Sequence, residues 1–191
     1  MLQANSIALK EWAVTVRFLG LGKQIFILRK GGIRELKEGF QPAHTEFFLF
    51  PTYVHQHEEA LVPEARPYLR EVHDTRTAPD TVELAFYAQV VQDFFVERLE
   101  ALSRLDGCHS LNWKTVEQRF HYRGRPGLHL LVVRVYRLAQ AVALLNTSAY
   151  DGCVSWVELD RAVPVSQAVP VVADQDFQSR SADLARRIQV A

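Results

Sequence analysis

No stretch of this 191-residue sequence approaches the run of about 18–20 apolar residues that a bilayer-crossing helix requires. The opening Met1-Leu2-Gln3-Ala4-Asn5-Ser6 lacks the basic and then apolar regions of a secretory leader. Cysteine is scarce: Cys108 and Cys153 allow one bridge at most, and reduced thiols in a cytoplasmic protein are the expected state. Internal repeats and low-complexity tracts are missing, and no composition shift marks a domain boundary. Standard chemistry-bearing motifs are absent too. There is no P-loop, no Cys-x-x-Cys and no His-Glu-x-x-His. The Asp…Glu-x-Lys pattern of metal-dependent nucleases is approached only by Glu83, Lys114 and Glu117, at the wrong spacing. No metal and no cofactor are expected.

An apolar fraction of 48% with 23% charged residues is the composition of a folded domain, and the length suits one core. The formal net charge of zero hides a segregated distribution. Residues 1–45 carry seven Lys/Arg against three Asp/Glu, and residues 107–145 carry six against one. Residues 46–106 carry five against twelve. The two basic segments would form an anion-binding surface if the fold joins them, or they would pair with the acidic middle.

Two apolar runs break abruptly into polar, turn-forming residues. One ends in Leu28-Arg29-Lys30-Gly31-Gly32, the other in Phe50-Pro51-Thr52-Tyr53-Val54-His55-Gln56. The first reads as a short buried strand, Gln24 to Arg29, stopped by the glycines. The second reads as a strand, Glu46 to Phe50, stopped by Pro51. Between Ser6 and Gly20, Leu9, Trp12, Ala13, Val16 and Leu19 recur at helical spacing, with Ser6 as a cap. Alternation at Trp12, Val14, Val16 and Phe18 fits a strand as well. A short helix is expected near Gln56–Leu61, broken at Pro63 and Pro67, and Arg70–Pro79 reads as an exposed connection.

Val82–Val96 reads as a long or bent strand, and Val96–Leu105 has helical spacing. Asn112 is placed to cap a helix over Trp113, Val116 and Phe120. Leu128–Leu138 is apolar on both faces, which marks a central strand. Val154–Leu159 is a last strand, and a terminal helix carries Phe177, Leu184 and Ile188 on its apolar side. The mixture implies an α+β class: a single domain with a largely antiparallel sheet flanked by helices.

Several blocks resemble the bacterial domain of unknown function 1802 family. They are Ala8-Leu9-Lys10-Glu11-Trp12, Leu28-Arg29-Lys30-Gly31-Gly32-Ile33 with Glu35, Phe50-Pro51-Thr52-Tyr53 with His55-Gln56, Arg119-Phe120-x-Tyr122, the Leu130–Leu138 strand and Tyr150-x-Gly152-Cys153-x-Ser155-Trp156. The resemblance runs from about Ser6 to Leu159. It implies a family domain over residues 1–160, with 161–191 as a C-terminal extension whose helix packs on it. The family has no established activity, but fusion of some members to restriction-endonuclease-like modules implies a nucleic-acid or defence context. The order of elements is also similar to PUA-like domains, small barrels that bind RNA or modified bases.

The expected function is binding of nucleic acid or a nucleotide-like ligand. The expected site is Arg29, Lys30, Gly31, Gly32, Thr52, Tyr53 and His55, with Arg119, Arg123 and Arg134 as a second basic contribution and Tyr150 and Ser155 alongside. Guanidinium forks and glycine N–H groups at a strand end suit phosphate, and exposed aromatics suit base stacking. Two other readings stay open: a hydrolase or nuclease component using His55 with Glu35 or Glu58, and a structural or interaction module. Both strand exits are expected to open at the same end of the sheet.

Overall fold

The computed structural model describes residues 1–30, 43–76, 78, 80–152 and 154–189, with the backbone alone for Arg123. Gly31, Gly32, Ile33, Glu35 and Cys153 lie outside the described residues. The expected α+β class with a largely antiparallel sheet holds. Among the described residues seven strands make one sheet, in the order β2 (Phe26–Arg29), β5 (Leu128–Leu145), β4 (Thr81–Val96), β3 (Glu46–Thr52), β1 (Ala4–Trp12), β6 (Trp156–Pro164), with β7 (Val169–Pro170) beside β5. β1 and β3 are parallel, and the other pairings are antiparallel. Among the described residues no helix is long and apolar enough to cross a membrane.

The N-terminal segment is a strand followed by a helix: the residues from Ser6 to Trp12, read as helix, are strand, and the alternation at Val14, Val16 and Phe18 falls within the helix. β1 ends at Trp12, and α1 (Ala13–Gly20) starts at the next residue. Ser6 is therefore a strand residue and not a helix cap. The orphan N–H of Val14 in the first turn of α1 is instead taken by Gln56 Oε1 at 3.3 Å, a cap supplied from a distant loop. Position 20 must be glycine for a packing reason, since a Cβ there would run into the Phe86 ring, and Gly22 at φ 68° ends the helix, with Lys23 N donating back to Phe18 O at 3.0 Å. Pro51 does not stop its strand, because β4 pairs only Glu46–Phe48 and has left before Pro51, opposite Glu11 of β1, is reached.

Pro63 and Pro67 start helices where the sequence suggested breaks. Each occupies a first turn, where a missing N–H costs no bond: Pro63 opens the 3₁₀ turn Pro63–Ala65, and Pro67 lies in α2 (Arg66–Asp74). Much of the expected exposed connection is thus helix.

The remaining elements follow the pattern closely. β2 is Phe26–Arg29, β4 is Thr81–Val96 and β5 is Leu128–Leu145. α3 is Leu99–Ser103, β6 is Trp156–Pro164 and α5 is Asp174–Gln189. Asn112 caps α4 (Trp113–His121), its Oδ1 accepting from Thr115 N at 2.9 Å.

Alternate residues of each central strand enter different cores. Ile27, Phe47, Leu49, Leu131 and Val133 meet Val16 and Leu19 of α1 on the inner face. Phe26, Leu28, Leu130 and Val132 pack outward against Val14, Phe18, Val116, Phe120 and Leu184 from the helices. Phe48, Phe50, Leu84 and Tyr87 join Tyr150 and Leu159 in a third cluster. The strands read as apolar on both sides because both sides are covered.

His109 sits in the helical layer, 3% exposed, edge-on to Phe26 with ring centroids 5.7 Å apart. Its Nδ1 accepts from Leu111 N at 3.2 Å. Burial pushes the imidazole down to about 4, with Asp106 opposing and Arg119 adding to the effect. The folded chain therefore resists a proton that the unfolded chain takes up below about 6.5. Stability is complete above that pH and falls as the pH drops toward 4, by on the order of 3 kcal/mol for this group. Urea unfolding between pH 7 and pH 4 should show that acid-side loss, and it should be smaller in His109→Phe; equal pH dependence in the two proteins would contradict the assignment.

Candidate functional site

Counted along the sheet, β2 and β3 are separated by three antiparallel steps and so point in opposite directions. In a flat sheet their exits would open at opposite ends. They meet because the long β4–β5 pair carries two register shifts, between Leu84 and Phe86 and between Val90 and Gln92, and bulges bend strands. The sheet curls until the end of β2 reaches β1, and both exits line one cleft of about 950 Å³. The expectation of a common end is thus replaced by a common cleft.

Arg29 makes the closure. Its Nη1 donates to Lys10 O at 3.0 Å and to Glu11 Oε2 at 3.2 Å, and its Nη2 donates to Ser155 Oγ at 2.6 Å. One guanidinium on β2 thereby holds β1 and the segment entering β6, at the far side of the strand order. Glu11 is 3% exposed, and its Oε1 accepts from Trp12 N at 2.8 Å. Lys10 Nζ donates to the carbonyls of Tyr150 and Gly152. Thr52 Oγ1 donates to Glu11 O at 3.1 Å.

Lys30 is held in the same manner. Its Nζ donates to Phe120 O at 2.7 Å, to Gly127 O at 2.8 Å and to Arg125 O, and burial draws the ammonium below its usual value. It joins the end of α4 to the turn before β5. Tyr150 is buried against Phe50, and its hydroxyl accepts from Asp160 N at 3.1 Å. In Arg29, Lys30, Thr52, Tyr150 and Ser155 the polar groups expected to meet a ligand are thus engaged in building the cleft.

Other expected residues present themselves differently. Tyr53 lies under Arg76, whose guanidinium carbon is 4.4 Å from the ring centroid, and near His73. Burial raises its hydroxyl above the ordinary value, against the pull of Arg76. His55 is exposed at the rim with φ of 65°, a left-handed conformation uncommon outside glycine. Arg119 is half-buried over the Trp12 indole, 4.6 Å from its centroid, with one long bond from Nη1 to Leu28 O at 3.5 Å. Burial lowers its pKa, Glu11 counteracts this and Arg29 reinforces it.

Arg134 does not join the site. It faces α5, forming an ion pair with Asp174 and stacking 4.7 Å from the Phe177 centroid, because its alternate position on β5 turns it to the helical side. Gly31 and Gly32 lie outside the described residues, and Arg123 belongs to the 3₁₀ turn Tyr122–Gly124 after α4. Of the carboxylates paired with His55 in the hydrolase reading, Glu58 bonds Arg70 at 3.1 Å and Glu35 lies outside the described residues. Among the described residues no hydrogen bond links His55 to a carboxylate, and no three His, Cys, Asp or Glu side chains gather as metal ligands.

The cleft also contains Lys10, Glu11, Trp12, Arg76 and Lys114, which the site expectation left out. For the first three a signal was available. Ile7-Ala8-Leu9 breaking into Lys10-Glu11 is a third apolar run ending in charge, like the two that drew attention. Six cationic side chains (Lys10, Arg29, Lys30, Arg76, Lys114 and Arg119) stand against Glu11, Glu59 and Asp151. Members of both basic segments meet here, Lys10, Arg29 and Lys30 from the first and Lys114 and Arg119 from the second, while Arg17, Arg134 and Arg137 lie elsewhere.

Since Glu11 and Arg29 are both substantially buried, removing one partner strands the other. Glu11→Ala should lower stability by about 3–5 kcal/mol. Replacing both by apolar residues, as Glu11→Leu with Arg29→Met, should be less damaging than Glu11→Ala alone. Denaturant titration measures both, and a Glu11→Ala loss under about 1 kcal/mol would place the pair among ordinary surface ion pairs.

A search of curated proteins gives no match. A solved structure, a mutant of the ZmASCH protein from Zymomonas mobilis, is similar over 95% of this chain and 98% of its own, at 8% identity and a TM-score of 0.42. The model of a family described as a domain of unknown function, DUF1802, matches residues 8–183, running past Leu159 and into α5. The chain belongs to the DUF1802 family.

Proposed function

We propose that the cleft binds nucleic acid or a nucleotide-like ligand, engaging phosphate and base together. The observation that carries this reading is the meeting of six cationic side chains with three aromatic rings, Trp12, Tyr53 and Tyr122, on one concave surface. The cations supply an attractive field for phosphate, and a concave, low-dielectric wall concentrates that field. Aromatic rings and stacked guanidinium planes offer faces on which a base can lie whatever its sequence. A volume of about 950 Å³ is at the upper end of the range for small-molecule sites. That size suits a nucleotide or a short unpaired stretch better than a duplex.

Fluorescence anisotropy with labelled single-stranded RNA and DNA, and with a duplex control, tests the reading. The single strands should bind at about 50 mM salt and weaken toward about 200 mM, log K falling against log salt by about 0.7 for each phosphate engaged. Lys114→Glu, at an exposed cation on the α4 wall, should weaken binding and flatten that slope. No binding of any probe at low salt would overturn the reading.

A further inference from the structure

The cations of the cleft differ in what their N–H groups already do. Lys30 donates to three carbonyls, Lys10 to two, and Arg29 to a carbonyl, a carboxylate and a hydroxyl. Arg119 is otherwise: five N–H groups, and one marginal bond at 3.5 Å. Its position is fixed by packing instead. The guanidinium lies 4.6 Å from the centroid of Trp12, and that indole is itself fixed at the junction of β1 and α1, with His57 tilted toward it at 6.5 Å. Arg119 lies on the α4 wall, and its polar atoms are not among the sealed, unpartnered ones. A pre-oriented fork with unused donors, half-buried and facing a cleft, matches the two-oxygen edge of a phosphate.

Resting on the binding reading above, we infer that Arg119 is the phosphate receptor of the cleft, seated on Trp12, whereas Arg29, Lys10 and Lys30 are framework cations that do not contact the ligand. The ligand is then recognised through a phosphate with two accessible oxygens. A free nucleotide and a phosphodiester within a single strand both carry one. Arg29 and Glu11 lie close enough to act on Arg119 electrostatically. Glu11 offsets one of the two neighbouring guanidinium charges, so the fork remains cationic while its donors stay directed into the cleft.

The two roles separate by experiment. Wild type, Arg119→Lys, Arg119→Gln and Arg29→Lys are compared by calorimetry with adenosine, AMP and inorganic phosphate, by anisotropy with a short single-stranded RNA, and by thermal unfolding without ligand. Wild type should prefer AMP to adenosine, or bind only the single strand if the phosphodiester is the natural partner. Arg119→Gln should weaken phosphate-dependent binding by about tenfold or more. Arg119→Lys should recover little of it, because an ammonium keeps the charge and loses the fork. Both should unfold within a few degrees of wild type, while Arg29→Lys should unfold distinctly earlier. Binding of AMP or RNA by wild type that is no weaker in Arg119→Gln and Arg119→Lys overturns this assignment and leaves the binding reading standing. Wild type that binds none of the probes overturns both.

Discussion

The curled sheet is closed at the cleft by the Arg29 guanidinium. β2 lies at one end of the strand order and β6 at the other, and at the cleft Arg29 spans that distance by reaching the β1 backbone, Glu11 and Ser155. No backbone ladder joins β2 to β1 among the described residues. A guanidinium suits the position because its donors diverge from a rigid plane and can hold separate segments at fixed angles. Glu11 then becomes a requirement, since a cation placed at the floor of a largely buried junction needs a compensating charge. The parallel β1–β3 pair, with Glu11 opposite Pro51 and Trp12 opposite Thr52, brings the third exit to the same place.

Closure at this point dictates the surroundings of the cleft. Once Trp12 is fixed by Glu11 below and by the start of α1 behind, its indole face is presented to α4, and Arg119 can lie on it. The loop after β3 is tied down through Gln56, which caps α1. Tyr53 and His55 are thus carried on a loop whose end is anchored in the core. Lys30 does the corresponding work on the opposite wall by collecting the carbonyls around the end of α4. Each wall is therefore tied to the framework by a side chain from a strand exit or the loop beyond it.

The parts legible in the sequence were those decided locally. Asn112 announced α4 because a cap acts within one turn, and β5 announced its central position because both of its faces are apolar along the run. The N-terminal segment was ambiguous for a physical reason: β1 and α1 abut without a turn, and one window covers two periodicities. Pro51 and Pro67 misled because a proline's effect depends on whether its missing N–H was needed, which rests on neighbouring strands or on position within a helix turn. At the cleft, charge at the end of apolar runs singled out Arg29 and Lys30, the basic segment 107–145 singled out Arg119, and all three line the cavity. Which of them are committed to the framework was not legible, because that depends on acceptors far along the chain: the carbonyls of Phe120, Arg125 and Gly127 for Lys30, and the Ser155 hydroxyl for Arg29.

Hydrogen-bond commitment and electric charge are separate properties, and the cleft uses the distinction. A lysine that donates to three carbonyls has no donor left for a ligand, yet the carbonyls are dipoles and leave its unit charge intact. Lys10 and Lys30 therefore still contribute to the field over the cleft although their N–H groups serve the framework. Arg29 contributes less, because Glu11 lies against it. A chain with no net charge can in this way attract an anion at one point. On the proposed reading the framework cations draw the anion in, and the geometry of its seating is left to the Arg119 fork on Trp12. Field and contact then come from different residues, so exchanging charge at the rim should change how readily a ligand arrives, whereas altering the fork on Trp12 should change how long it stays.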